Sequence, residues 1–327
     1  MHVLISIQQR VPQWQIPEAA ARALIARFPD VRFTYATGDD ERASGLETAD
    51  AAYTWILNAT ELARAPRLQW VHSSAVAVET FCLPEMYARG IRVSNTRGVQ
   101  AVPIAEHVLA VLFAFAKQIP FTLDNQRQAR WAQHDYVGGR LPWLLRGRTL
   151  GLIGVGTIGA ALASRAAALG MRVVALRRQA AADAVPGVTR VFTRDELPAM
   201  LAECDAVAIA APLTPDTEGL MGRDAIASMK PGAVLINVGR ARILDTSALV
   251  DAVHAGHLSG ASLDVFPEEP LPADHALWSC PNVILTPHTS GFRQGHWDEV
   301  IDVFADNLER FRRGESLKYE VKADLGY

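Results

Sequence analysis

TLGLIGVGTIGAALASRAAALGMRVVAL, residues 149–176, reads as an apolar strand, a glycine turn, a helix and a second strand. In a unit of this kind the first glycine, Gly154, permits the tight turn. The second, Gly156, lets a pyrophosphate approach the backbone, and the third, Gly159, lets helix and strand pack closely. Thr157 and Ile158 open the helix, whose N-terminal amides would receive the phosphates. The strand before the turn and the strand after the helix are both in place, so the pattern predicts a dinucleotide site. About 20 residues beyond such a turn an acid usually bonds the ribose 2′-hydroxyl. Here Arg177 and Arg178 follow Leu176, with no carboxylate until Asp183. A guanidinium fits a phosphate with two donors and stacks on adenine, which predicts NADP(H) as the preferred cofactor, with NAD(H) bound more weakly. The plainer reading is a pair of solvated surface arginines.

Outward from this unit the alternation continues. Strands are expected at 149–153, 172–176, 206–210, 234–238, 262–265 and 283–286, with helices at 159–169, 224–229 and 246–254. Toward the N-terminus, apolar strands at 2–7, 31–35, 51–56, 68–72 and 91–93 alternate with helical patterns such as 18–27. Alternation of this kind predicts an α/β protein with two doubly wound parallel sheets. Residues 102–117, VPIAEHVLAVLFAFAK, read as a helix with Pro103 in its first turn and apolar residues nearly all round. Such a helix is expected to be buried, between domains or against another subunit. Residues 125–143 show little periodicity and read as an arm. The amphipathic helix expected at 296–313 has no following strand, and so could cross back onto the first domain.

Composition narrows the classes. A chain of 327 residues has room for roughly two domains. With 32 Lys and Arg against 35 Asp and Glu, a net charge of −3 and no basic block, nucleic acid is not an expected partner. The longest apolar run, 108–116, is far short of the ~20 residues that span a bilayer, so membrane insertion is not expected. The start MHVLISIQQR has neither the cationic flank nor the long apolar run of an export signal. Cys82, Cys204 and Cys280 form no CxxC pair and read as reduced thiols of a cytoplasmic protein, and no metal-ligand spacing is present.

Three polar segments stand at expected strand ends, where a doubly wound fold places its ligands. They are Asn237-Val238-Gly239-Arg240, the stretch from Asp264 through Glu268 and Glu269 to Pro270, and Thr286-Pro287-His288. An Arg, a Glu and a His so placed are the parts needed to hold an anionic carbonyl compound and protonate its oxygen. Singly, each also reads as a surface arginine, a loop acid or a turn histidine.

With these residues in view the chain resembles the D-isomer-specific 2-hydroxyacid dehydrogenase family, which includes glyoxylate and hydroxypyruvate reductases. The matching stretches are GLIGVGTIG, APLTPDTEGLMG, MKPGAVLINVGRARILD, LDVFPEEPLPADHALWSCPNVILTPHTSG and the end GESLKYEVKADLGY. In the first domain they are LQWVHSSAVAVE and VSNTRGVQAVPIAEHVLA. The resemblance implies a Rossmann cofactor domain, 99–289, inserted into a flavodoxin-like substrate domain made of 1–98 and 290–327. It implies a dimerisation helix and arm at 100–145, a homodimer, and two chain crossings forming a hinge, with the catalytic residues meeting the Val76-Ala77 loop in the cleft.

By the same resemblance Arg240 binds the substrate carboxylate and polarises the carbonyl. Glu269, chosen over Glu268 because the family's Glu directly precedes Pro, orients the imidazole, and His288 exchanges the proton. Asp264 is implied at the nicotinamide end. Val238, Gly239 and Gly291 line the cofactor together with Arg240 and His288, while Ala211, Pro212 and Thr217 border its pyrophosphate or adenosine half. The backbone amides of Val76 and Ala77 would grip the substrate. Ala77 stands where the family more often has glycine, which bears on loop shape and substrate size.

The implied function is NADPH-preferring reduction of small 2-keto acids, glyoxylate and hydroxypyruvate, to 2-hydroxy acids. The alternatives are a larger keto acid, a phosphoglycerate dehydrogenase-like activity, or a dinucleotide-sensing regulator. Glu269, where the family's formate dehydrogenases have Gln, argues against formate oxidation. Tyr53, Trp55, Phe292 and Trp297 read first as core or interface aromatics and only second as a substrate wall, and His107 reads as structural.

Overall fold

The computed structural model describes residues 1–78, 81, 83–178 and 184–322. Cys82 and Asp183 lie outside them, as do Glu79 and the last five residues of the matched C-terminal stretch. The chain divides into two units, Met1–Val99 with Phe292–Tyr327, and Gln100–Gly291.

The first unit holds strands β1 (His2–Ser6), β2 (Arg32–Tyr35), β3 (Ala51–Thr54), β4 (Trp70–Ser73) and β5 (Arg92–Ser94). All are parallel, in the order β2-β1-β3-β4-β5, the flavodoxin-like winding. β1, β3 and β4 are buried at every residue, as strands covered on both faces must be, and this is why they read as continuous apolar runs. The helix His296–Arg312 lays Trp297, Val300, Ile301, Phe304 and Leu308 into the core beside Val3, Ile5, Tyr53 and Trp70. Phe304 stacks between Tyr53 and Trp70, with ring centroids 4.1 and 5.3 Å away. Tyr53 and Trp297 are therefore core residues.

The second unit holds β6 (Thr149–Ile153), β7 (Arg172–Leu176), β8 (Val188–Phe192), β9 (Ala206–Ile209), β10 (Val234–Asn237), β11 (Gly260–Leu263) and β12 (Val283–Leu285). These too are all parallel, in the order β12-β11-β10-β9-β6-β7-β8. The winding reverses at β6, so a crevice for a ligand opens outside the carboxyl ends of β6 and β9. Both sheets are the doubly wound parallel architecture that the alternation predicts.

Three elements depart from the sequence reading. β8 has no counterpart in it: as an edge strand it buries only one end of its length, and the exposed Thr189 and Arg190 break the apolar pattern. The arm contains two helices, Ile119–Arg127 and Gln133–Val137, each too short and too exposed to leave a clear period. The helix Ala101–Ala116 is not apolar-buried all round. Ile104, Ala105, Val108, Val111, Leu112 and Phe115 pack into the core of its own unit, while Val102 and Phe113 remain exposed. No single helix among the described residues is long and apolar enough to cross a membrane.

Candidate active site

The glycine turn has the shape its spacing demands. Gly154 adopts φ 96°, in the left-handed region that favours glycine, and a Cβ there would stand 2.8 Å from Cα of Ala211. A Cβ on Gly159 would be driven into the carbonyl oxygen of Gly154. Gly156 differs: a Cβ there would enter open space, the space in front of the helix Thr157–Ala168. That helix starts with no side-chain cap and no acid in its first turn, so its leading amides and positive dipole end face this opening. The opening fits a pyrophosphate.

At the carboxyl end of β7, Arg177 is half-buried and Arg178 exposed. The N–H of Arg177 donates to the Phe192 carbonyl at 2.9 Å, which ties the turn to β8. β8 also brings Arg190, its guanidinium 3.9 Å above the Phe192 ring and paired with Glu196 at 3.5 Å. This second source of positive charge went unread because β8 did.

After β9, the Thr217 hydroxyl donates to the Pro212 carbonyl at 2.7 Å and accepts from the Thr214 N–H at 2.8 Å, closing the turn that Ala211 begins. After β10, the buried Asn237 side chain grips its own turn. Its Oδ1 accepts from the Gly239 N–H at 3.0 Å and its Nδ2 donates to the Arg240 carbonyl at 3.1 Å. Arg240 thereby leaves the strand in a set direction, its Nη1 donating to the Gly239 carbonyl at 3.0 Å.

His288 and Glu269 meet. Nδ1 of His288 lies 2.7 Å from Oε2 of Glu269, while Oε1 of Glu269 accepts from the Phe266 N–H at 2.9 Å. Burial by itself would raise the Glu269 pKa. The His288 hydrogen bond, the Phe266 N–H and the charges of His288 and Arg240 outweigh it, and hold the carboxyl below its ordinary range. The three side chains thus share one electrostatic environment, and the His and Glu remain partly open to solvent, at 42% and 36% exposure.

Asp264, 1% exposed, does not point out of this site. Its Oδ1 accepts from the Thr286 hydroxyl at 2.6 Å, the Thr289 N–H at 2.9 Å and the Ser290 N–H at 3.1 Å, and its Oδ2 from the Ser290 N–H at 3.1 Å. It anchors the loop that carries His288, a use that its place at a strand end does not reveal.

In the first unit, Val76 and Ala77 follow β4. The Val76 carbonyl accepts from Asn95 Nδ2 at 2.8 Å, and planarity of that peptide turns the Ala77 N–H to the opposite side. Trp55 stacks on Trp14 at 5.5 Å, and Phe292 meets Trp14 edge-on at 5.5 Å. Of the four candidate wall aromatics these two are the ones left half-buried.

The fold and the glycine turn define a dinucleotide-binding protein of the doubly wound class. Residues 109–290 match the family model described as D-isomer specific 2-hydroxyacid dehydrogenase, NAD binding domain. A protein of Thermococcus litoralis named glyoxylate reductase is 32% identical over 95% of this chain and 96% of its own length. Another of that name, from Korarchaeum cryptofilum, is 34% identical over 84% and 82%. Among solved structures, a D-isomer specific 2-hydroxyacid dehydrogenase from Xanthobacter autotrophicus Py2, in complex with NADPH and MES, superposes with a TM-score of 0.83 at 29% identity, covering 100% of this chain and 99% of that one. The chain belongs to the D-isomer specific 2-hydroxyacid dehydrogenase family. It is an oxidoreductase of 2-hydroxy acids that uses a nicotinamide dinucleotide.

Proposed function

We propose that this enzyme reduces small 2-keto acids, glyoxylate and hydroxypyruvate foremost, with NADPH, giving the D-hydroxy acid where the product is chiral. The observation that carries the reading is the His288–Glu269 pair within the field of Arg240. With Nδ1 on the carboxylate, Nε2 of His288 is the nitrogen that delivers a proton to the keto oxygen and recovers it in the reverse direction. Glu269 holds the ring in place through the bond to Nδ1. Arg240 binds the substrate carboxylate and polarises the carbonyl. Bound nicotinamide dinucleotide supplies the hydride, while the protein supplies position and charge. The Gly154–Gly159 turn, Thr157 and Ile158 would hold the pyrophosphate, and Ala211, Pro212, Thr217, Val238, Gly239, Asp264 and Gly291 would border the rest.

The preference for NADPH is supported by Arg177 and Arg178 at the end of β7, where an NAD site usually has an acid, and by the NADPH complex of the Xanthobacter relative. Glyoxylate is supported by the names of the two archaeal relatives. The cytoplasmic location rests on the sequence, whose three cysteines form no CxxC pair. Steady-state assays of glyoxylate, hydroxypyruvate, pyruvate and phenylpyruvate with each cofactor test the reading. The expected result is the highest kcat/KM for the two small acids with NADPH. An Arg177→Asp variant is expected to shift the ratio toward NADH. Equal kcat/KM for the two cofactors would remove the NADPH preference.

A further inference from the structure

The loop bearing His288 carries a backbone cost. His288 adopts φ 55°, a left-handed conformation uncommon outside glycine and kept only where the surroundings enforce it. The enforcing contacts converge on Asp264, which takes the Thr286 hydroxyl and the N–H groups of Thr289 and Ser290, while the His288 N–H closes onto the Thr286 carbonyl at 2.9 Å. One further group reaches this cage from another element. His107, half-buried on the helix Ala101–Ala116, places Nε2 3.5 Å from the Thr286 hydroxyl oxygen. A hydroxyl has one proton to give, and that of Thr286 goes to Asp264 at 2.6 Å. What Thr286 offers His107 is therefore a lone pair, and the proton between them belongs to Nε2 of His107.

We infer that His107 is a positioning residue for the proton-transfer step: its Nε2–H holds the Thr286 hydroxyl on Asp264, and through Asp264 fixes the backbone of loop 286–290 that aims His288 at Glu269. The inference rests on the reading of His288 as the proton donor. Burial lowers the His107 pKa against the opposing pull of Asp264, in keeping with a ring that donates a single N–H. Neither His107 nor Thr286 is assigned a contact with substrate or dinucleotide, so losing the bond between them is expected to act on the rate and leave binding nearly intact.

Four variants of the full chain test it, assayed with NADPH and whichever 2-keto acid is reduced fastest. His107→Phe keeps a flat ring and loses the donor; His107→Gln carries an amide N–H close to the place of Nε2. The first is expected to lower kcat about tenfold or more, as misplaced reacting groups do, with KM and the NADPH dissociation constant within about twofold. The second is expected to recover most of that rate. Thr286→Val and Thr286→Ser repeat the comparison from the other side, and decide the matter should His107→Phe fail to fold: the valine variant is expected to be slow and the serine variant near normal. Wild-type kcat in His107→Phe, or equal losses within either pair, overturns the inference. His288→Asn is assayed alongside. If it turns over normally, the proton-donor reading fails and takes the inference with it; if it is slow while His107→Phe is normal, the link from His107 alone is wrong.

Discussion

At the scale of single residues, His288 joins a left-handed backbone to a side chain bonded to Glu269, so a useful substitution must keep the first while removing the second. Asparagine tolerates that backbone region. His288→Asn is therefore expected to fold, to bind NADPH with a nearly unchanged dissociation constant by fluorescence titration, and to lose about 10²–10⁴-fold in kcat. Glu269 supports a second expectation, through stability. Its carboxyl lies below the ordinary 4.5 in the folded protein because the His288 bond, the Phe266 N–H and nearby positive charge outweigh burial. A depressed folded pKa contributes stability that is complete above 4.5 and is lost as pH falls through the folded value. The stability of Glu269→Gln, followed by urea unfolding from about pH 5 to about pH 3, is expected to fall less steeply than that of the wild type. Arg240 and His288 were legible in the sequence because each follows an apolar run, whereas Glu269 was told from the adjacent Glu268 only by the family resemblance. The anchoring uses of Asp264 and Asn237 were not, because a buried polar residue declares its purpose only through its partners.

At the scale of elements, the three glycines separate folding from binding. Gly159 packs helix against turn, and a Cβ there meets the Gly154 carbonyl. Gly159→Ala is expected to cost about 1–3 kcal/mol of stability, the usual range for overpacking, as a lowered midpoint of thermal or urea unfolding. Gly156 has an ordinary φ of −72° and open space ahead of it. Gly156→Ala is expected to fold as stably as the wild type and to weaken the dinucleotide by about tenfold or more, since one charge-assisted contact at about 1.5–3 kcal/mol is obstructed. Strands buried on both faces were readable from runs such as TLGLI and RVVAL. The edge strand β8 and the short arm helices were not, because exposed segments lack the burial that imposes a period.

At the scale of the molecule, unit Gln100–Gly291 interrupts the sequence of the other unit, and it carries exposed apolar residues along its first helix and arm. Trp131 is 87% exposed, with Phe113, Leu123, Val137, Leu141 and Leu144 also open. Exposed apolar groups that gather into one patch form association surfaces, and the family resemblance implies a dimerisation helix and arm here. We expect a homodimer through this helix and arm at micromolar concentration by sedimentation, and a shift toward monomer in Trp131→Glu and Leu141→Glu; a monomeric wild type would remove the expectation. What the sequence determined by itself is local and repetitive: the strand–helix alternation, the glycine turn, and the chemistry available at each strand end, all written by periodicity and backbone freedom within a few residues. Only the tertiary structure decided which of several polar residues meet. It decided that Glu269 reaches His288 across 19 positions, and that Thr286 and His107 lie within 3.5 Å across 179. Such pairings depend on strand order and on where each loop leaves its sheet, and neither is encoded at either residue alone.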